Sequence, residues 1–360
     1  MSKFSPREHL LAIERTPERH EQREGFVCLD RNERVGGISD AFFQDMLAQL
    51  SPREITAYPD AGPFVAALSA YLGFPESYIA ETNGSDAALR RIFMAYLRPG
   101  GEVVSLKPSY AMYDLYTRIF QGKSRRVSYR ADRTVDVGAF LGAMQSGTQL
   151  VIFARPDQPV GTAMAESDVR KVVARAAEIG AICVVDEAYH PFFPETVLPL
   201  VREFENLIVT RSFSKYPGCA GIRLGYAVAA PPLIKGLMAV RGGNEVSSLS
   251  LAIGRYMLNH LEIAEQFRKD VEESREMLSD TARELGFAPL DCAANFQHLR
   301  CPARISAGAV VEALKRRGYL VKGYSEPPLS ECVRVSLSGR EVIAPFLREL
   351  EAAMRELRVQ

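Results

Sequence analysis

The sequence of 360 residues is short of several features, and each shortage removes a class of function. Its six cysteines, Cys28, Cys183, Cys219, Cys292, Cys301 and Cys332, are scattered. None forms a Cys-x-x-Cys pair and none has a histidine at metal-ligand spacing, which argues against a disulfide framework or a zinc site. Cys183 lies inside an apolar run and reads as core rather than as a nucleophile. Charge of one sign is missing too: Lys+Arg and Asp+Glu both total 44, so the formal net charge is zero. Neither a nucleic-acid-binding face nor a membrane-binding stripe follows from such a balance. Local runs such as Lys123 to Arg130 read as a solvated face. No apolar run approaches the roughly 20 residues of a membrane span. Met1 to Glu24 is polar and charged, without the apolar stretch of a signal peptide. No G-x-G-x-x-G follows the first strand, so a dinucleotide-binding reading is set aside. Internal repeats and low-complexity tracts are absent as well. A reduced, cytoplasmic setting is expected.

What is present is an ordinary globular composition, 47% hydrophobic and 24% charged. The length suits one large α/β domain and a smaller one. Glu102 to Leu106, Gln149 to Ala154, Ala181 to Asp186, Leu207 to Arg211 and Gly225 to Ala229 read as strands. Their nearly continuous apolar character implies burial on both faces, as in a mainly parallel sheet flanked by helices. Between them, Ser167 to Ile179 places Val169, Val172, Val173, Ala176 and Ala177 on one helical face, with Ser167 as N-cap and Gly180 as stop. The alternation predicts a doubly wound α/β architecture. Beyond Ser247 the pattern changes to a long charged helix (about 263–285), a strand (296–300), a helix (about 307–317), a strand (332–337) and a final helix (341–357). The expected division is an arm over 1–51 packing with the small domain, a large domain over 52–246, and an α+β small domain over 247–360.

Six segments carry chemistry-bearing residues. In Arg211-Ser-Phe-Ser-Lys-Tyr-Pro-Gly-Cys-Ala-Gly-Ile-Arg223, Lys215 follows a strand, and Arg223 comes eight positions later. A buried lysine gives up its proton readily, and its neutral amine can form an imine with an aldehyde. Ser212, Ser214 and Arg223 could hold a phosphate beside it. Read alone, Ser-x-Ser-Lys also fits a surface lysine. In Val184-Val-Asp-Glu-Ala-Tyr189, Asp186 ends an apolar strand, where ligands of open α/β sheets bind. A carboxylate there could pair with a pyridinium nitrogen, and Tyr189 could bond a ring substituent; a plain N-cap aspartate is the alternative. Thr82-Asn-Gly-Ser-Asp86 would present free N–H groups at a helix start, suited to phosphate or simply to a capping turn. In Lys107-Pro-Ser-Tyr110, Tyr110 could stack on a flat ring or fill the core. Arg155-Pro-Asp-Gln-Pro-Val-Gly161 is a rigid turn at the same sheet edge. Arg334, between Val333 and Val335, needs a partner, either a substrate carboxylate or a structural ion pair.

Taken together, the order and spacing of Asp-Glu-Ala-Tyr and Ser-x-Ser-Lys-x7-Arg resemble class I/II aminotransferases of fold type I, the aspartate-aminotransferase fold. Within that family the chain is similar to the histidinol-phosphate aminotransferase group, over about Leu29 to Arg340. The resemblance implies pyridoxal 5'-phosphate as cofactor, with Lys215 as the Schiff-base lysine and the acid/base of the proton shift. It implies Asp186 at the pyridine nitrogen, Tyr189 at the phenolic oxygen and Tyr110 stacked on the ring. Ser85, Asp86, Ser212, Ser214 and Arg223 would surround the phosphate. In Thr56-Ala-Tyr-Pro-Asp60, Tyr58 would reach the phosphate of a neighbouring subunit, which implies a homodimer with a shared active site. Arg334 would bind the donor carboxylate, and Leu29-Asp-Arg-Asn-Glu33 would bring Asn32 near the substrate. Three positions depart from the family pattern. Gln158 stands in the turn that usually reads Asn-Pro-Thr-Gly; its amide could still reach the phenolic oxygen from a longer stem. Lys322 stands where an arginine often meets the substrate phosphate, and the two are not equivalent at a bidentate site. Arg31 and Arg34 add positive charge at the entrance. These departures point towards a specialised pathway rather than histidine synthesis.

Amino transfer, with glutamate as donor and a keto acid or phosphorylated carbonyl compound as acceptor, is the expected reaction. A decarboxylase of a phosphorylated amino acid on the same fold is the alternative, because the bond broken at Cα depends on which substituent stands perpendicular to the ring. A non-catalytic regulator is a third reading. The roughly 28 residues ahead of Leu29 are too few for the DNA-binding domain it would need.

Overall fold

The computed structural model describes residues 5–13 and 23–359. A seven-stranded sheet forms its centre, in the order Ile79–Thr82, Gly225–Ala229, Leu207–Ser212, Ile182–Asp186, Thr148–Ala154, Glu102–Lys107 and Lys123–Ser128. All pairs are parallel except those of Gly225–Ala229, which runs antiparallel to both neighbours. Successive strand residues point to opposite faces. Val151, Phe153, Cys183, Val185 and Val209 join one core, while Leu150, Ile152, Val184 and Ile208 join the other. Both faces are roofed by helices, so both sets must be apolar, and the strands read as unbroken hydrophobic runs.

Two strands lie outside the five expected. Ile79–Thr82 is only four residues long and contains Glu81. Lys123–Ser128 is the run expected to be a solvated face; it is exposed, but it is an edge strand paired with Glu102–Lys107. Lysine and arginine on an edge discourage pairing with another chain. The helix expected from Ser167 runs Glu166–Glu178 after Ala165, so Ser167 lies in its first turn and is not the cap. Gly180, at φ +73°, ends that segment as expected.

The second lobe holds a four-stranded antiparallel sheet in the order Lys322–Gly323, Cys332–Ser336, Phe296–Arg300 and Ala288–Leu290. The helices Leu261–Glu284, Ala307–Arg316 and Arg340–Val359 cover it through Phe267, Val271, Val310, Leu314, Phe346 and Leu350. The described residues up to Ser51 divide between the lobes. Val27–Cys28 pairs in parallel with Tyr319–Leu320, and Leu29 is in the small-lobe core. The helix Asp40–Ala48 instead places Met46 in the large core. The boundary expected at 247 also moves. Helix Ser248–Asn259 contributes Leu251, Tyr256 and Met257 to the large core, and the handover falls inside the next helix, between Ile263 and Phe267. No helix among the described residues is long and apolar enough to cross a membrane.

Candidate active site

The carboxyl ends of the central strands and the edge of the small lobe enclose a cavity of about 750 Å³. It gathers Asn32, Ser85, Asp86, Tyr110, Gln158, Asp186, Tyr189, Ser212, Ser214, Lys215, Arg223 and Arg334, twelve of the fourteen expected residues. The other two lie elsewhere. Tyr58 is 87% exposed and borders a separate cleft with Arg53, Asp60 and Arg255. Lys322 sits on a two-residue edge strand opposite Arg334, but it is exposed and does not line the cavity.

One end of the cavity is built for an anion. Helix Gly84–Tyr96 begins against strand Gly225–Ala229 so closely that a Cβ at Gly225 would lie 2.5 Å from the Ser85 backbone nitrogen. Gly84, at φ +77°, takes the Arg223 guanidinium against its backbone, with a Cβ there only 2.9 Å from Nη2. Arg223 itself adopts φ +49° and donates from Nη1 to Ser214 Oγ at 3.1 Å. Ser212 Oγ accepts from the Ser214 N–H at 3.0 Å. A helix start, an arginine and two serines thus converge. The Asp86 carboxylate accepts the Tyr116 hydroxyl at 2.9 Å, and its other oxygen is buried without a partner.

At the floor, Asp186 is 4% exposed. Its Oδ2 accepts the Tyr113 hydroxyl at 3.0 Å, and its Oδ1 accepts the Thr210 hydroxyl at 3.0 Å and the Ala188 N–H at 3.2 Å. Burial pushes its pKa up to about 6, against the pull of these bonds. Tyr113 meets Tyr110 edge-on, with centroids 5.7 Å apart, so it braces both the Tyr110 ring and the Asp186 carboxylate. Neither Tyr113 nor Thr210 was singled out from sequence. Thr210 is the register partner of Asp186 on the next strand, and no local pattern reveals that pairing.

Lys215 faces the cavity and donates from Nζ to the Arg31 carbonyl at 2.8 Å. Desolvation, then Arg334, lowers its pKa to about 8; Arg223 adds to this and Glu33 opposes it. An amine is thus available near neutral pH. Tyr189 accepts Asn32 Nδ2 at 2.8 Å, and burial raises its pKa to about 12. Asn32, at φ +57°, is held by Ser336 Oγ on its N–H (2.8 Å) and by Asn295 Nδ2 on its carbonyl (3.0 Å). Arg334 is 4% exposed and lies against the rings of Phe296 and Tyr324 at 5.2 and 5.8 Å. Its Nη2 donates to the Asp30 carbonyl at 2.6 Å, while Nε and Nη1 are buried with no partner. Donors left unpartnered on a buried guanidinium mark a place for an anionic group from outside the chain.

Residues 28–348 match the family of class I and II aminotransferases. The chain belongs to this family. Among curated aminotransferases it is 32% identical over 337 residues to histidinol-phosphate aminotransferase 1 of Burkholderia lata, covering 92% of this chain and 93% of that one. It is 33% identical over 336 residues to the histidinol-phosphate aminotransferase of Chromobacterium violaceum, covering 91% and 92%. Among solved structures, the histidinol-phosphate aminotransferase of Sinorhizobium meliloti in complex with pyridoxal 5'-phosphate superposes with a TM-score of 0.87, at 25% identity over 99% of both chains. The aminotransferase described here has the fold type I architecture and is a pyridoxal-phosphate-dependent transferase. Its cavity suits that cofactor. The anion end offers a phosphate cradle, Asp186 is a buried carboxylate in no ion pair among the described residues, and the Lys215 amine stands beside them.

Proposed function

We propose that this aminotransferase moves an amino group from glutamate to the phosphorylated ketone that corresponds to histidinol phosphate or a closely similar phosphorylated amine, leaving 2-oxoglutarate, or runs the same exchange in reverse. The observation that carries the reading is Arg334, whose Nε and Nη1 are buried and unpartnered at the cavity wall facing Lys215. A ping-pong reaction lets one arginine receive the carboxylate of the donor and, in the other half, the phosphate of the second substrate. That arrangement needs no contribution from Lys322. The names of the relatives support histidinol phosphate over the specialised pathway expected from Gln158 and Lys322, and Lys322 lies outside the cavity.

When bound, the cofactor supplies a protonated pyridine ring that draws electrons from the substrate's Cα. Asp186 keeps the ring nitrogen protonated, and Tyr113 and Thr210 hold that carboxylate in place. Tyr110 would stack on the ring. Tyr189, steadied by Asn32, and Gln158 would hold the phenolic oxygen. The Ser85 and Asp86 backbone, Ser212, Ser214 and Arg223 would bind the phosphate. Lys215 Nζ would hold the cofactor and, as a free amine, would carry the proton to and from Cα; its lowered pKa suits that work near neutral pH.

The large lobe is the cofactor-binding domain, and the small lobe supplies Arg334. Tyr58, exposed within one chain, reaches the cofactor phosphate of a second copy in a homodimer. A cytoplasmic location accords with six cysteines that are all free thiols. The test is the visible spectrum of the holoenzyme. Glutamate and, separately, histidinol phosphate should each bleach the band to the amino form of the cofactor. A band that neither compound changes sinks the substrate assignment, and carbon dioxide release from a phosphorylated amino acid would replace amino transfer by decarboxylation.

A further inference from the structure

The turn that carries Gln158 is fastened to the small lobe through three consecutive carbonyls. The Pro159 carbonyl accepts from His298 Nε2 at 2.6 Å. The Val160 carbonyl accepts from Arg133 Nη1 at 3.3 Å, and the same nitrogen donates to the Asp291 carbonyl at 2.9 Å. The Gly161 carbonyl accepts the Ala293 N–H at 2.8 Å. A two-proline turn that lines the cofactor cavity on one side is therefore bonded, on the other, to residues 291–298 of the small lobe.

His298 alone in this set also reaches the Arg334 side of the cavity. It stands directly across the antiparallel ladder from Arg334, so the two side chains share one face of the sheet. Its ring lies 5.4 Å from Phe296 and 5.8 Å from Tyr324, the two rings that flank the Arg334 guanidinium. His298 is fully buried. A carbonyl can only accept, so Nε2 carries the ring proton, and Nδ1 is left buried without a partner. Burial, with Arg334 and Arg133 nearby, holds the ring neutral down to about pH 3, although the bond to Pro159 opposes this. The ring is thus a single fixed donor at any working pH.

We propose that His298 is a positioning residue that couples the two ends of the site, fixing Gln158 on the cofactor side relative to Arg334 on the substrate's anionic group. The turn is stiffened by Pro156 and Pro159, so a displacement of its carbonyl passes to Gln158 instead of dissipating. An anion drawn onto Arg334 presses on Phe296 and Tyr324, and through them on His298. The inference rests on the assignment of Arg334 and Gln158 given above, but not on which amine is transferred.

The test uses succinate, a dicarboxylate that can occupy Arg334 but has no amino group to give. The holoenzyme is titrated with it while the pH dependence of the cofactor's visible band and the thermal midpoint are recorded. The wild type should bind succinate with a displacement of the band's titration midpoint. His298→Leu, which keeps bulk but no donor, should weaken succinate about tenfold, the effect of one lost buried hydrogen bond, and lose most of that displacement. His298→Gln, which retains an N–H able to reach Pro159, should recover most of both. If His298→Leu does not fold, His298→Asn, with its shorter amide, takes its place. The proposal is overturned if succinate leaves the wild-type band unmoved, if the leucine variant keeps wild-type affinity and displacement, or if the leucine and glutamine variants are equally impaired. Because succinate transfers nothing, failure of glutamate or histidinol phosphate as substrate would be seen separately.

Discussion

Asp186 and Glu187 are adjacent carboxylates at the end of one strand, and the chain treats them in opposite ways. Glu187 is completed from within: Arg211 Nη2 and Nε donate at 2.8 and 3.1 Å, and the Thr196 hydroxyl and Val197 N–H each donate at 2.7 Å. Burial alone would raise its pKa, yet Arg211 and these donors hold it below the usual carboxylate range. Asp186 receives two hydroxyls and one N–H but no cation, and burial lifts it to about 6. The first side of the strand end is finished structure; the second is a socket that needs a positive charge from outside. A buried polar group left in want of a partner marks where a ligand belongs.

This contrast can be broken from either side. The largest effect is expected at Lys215→Ala, which removes the amine from the cavity side. Turnover should fall on the order of 10⁴-fold, with the thermal midpoint of the apoprotein kept, because among the described residues Lys215 is bonded only to the Arg31 carbonyl. Next comes Glu187→Gln on the finished side. Leaving Arg211 buried without its counter-charge should cost about 3–5 kcal/mol in denaturant unfolding, while the folded fraction retains its spectrum. A Glu187→Gln protein as stable as the wild type would erase the distinction. Asp186→Asn should do the reverse. It should lower turnover by about 10²–10³-fold, as for loss of one preorganised electrostatic group, and leave the apoprotein at least as stable as the wild type.

The smallest effect sharpens the comparison with a third carboxyl. Asp157 is fully buried, accepts the Ser109 hydroxyl at 2.6 Å, and is raised to about 8 by burial. In the unfolded chain it ionises near pH 4, so the folded state binds the extra proton between about pH 4 and about 8. Stability should therefore fall as pH rises through that window. Asp157→Asn should flatten the fall, raising the melting midpoint at pH 8 and matching the wild type near pH 4. An unchanged slope would mean that Asp157 is not the group responsible.

Much of this site was legible before any tertiary contact was known, and the reasons lie in particular residues. Asp186, Lys215 and Gln158 each follow an apolar run, and a parallel sheet places the ends of such runs along one edge. Arg334 was conspicuous as a charge between valines. The misses have equally local causes. Ile79–Thr82 is too short to show a period, and Lys123–Ser128 carries the charges of an edge strand in place of an apolar signature. Tyr113 looked like any helical aromatic until its hydroxyl was seen on Asp186. Lys322 shared a motif position with a useful arginine, but the edge strand that bears it leaves its side chain in solvent. The helix Ser248–Asn259 was assigned to the small lobe by its place in the chain, whereas its apolar face packs on the large core.

The sequence by itself determined the run of strands and helices, the chemical kind of each site residue and, through the spacing of its motifs, the family. Those properties are local, set by side-chain periodicity and by what each residue can ionise, donate or accept. Only the tertiary structure decided which of two neighbouring carboxylates is sated by an arginine, which tyrosine and threonine support the other, and that His298 joins the Gln158 turn to the Arg334 clamp. These facts depend on strand register and on contacts between residues 24 to 139 positions apart, and no local pattern encodes them.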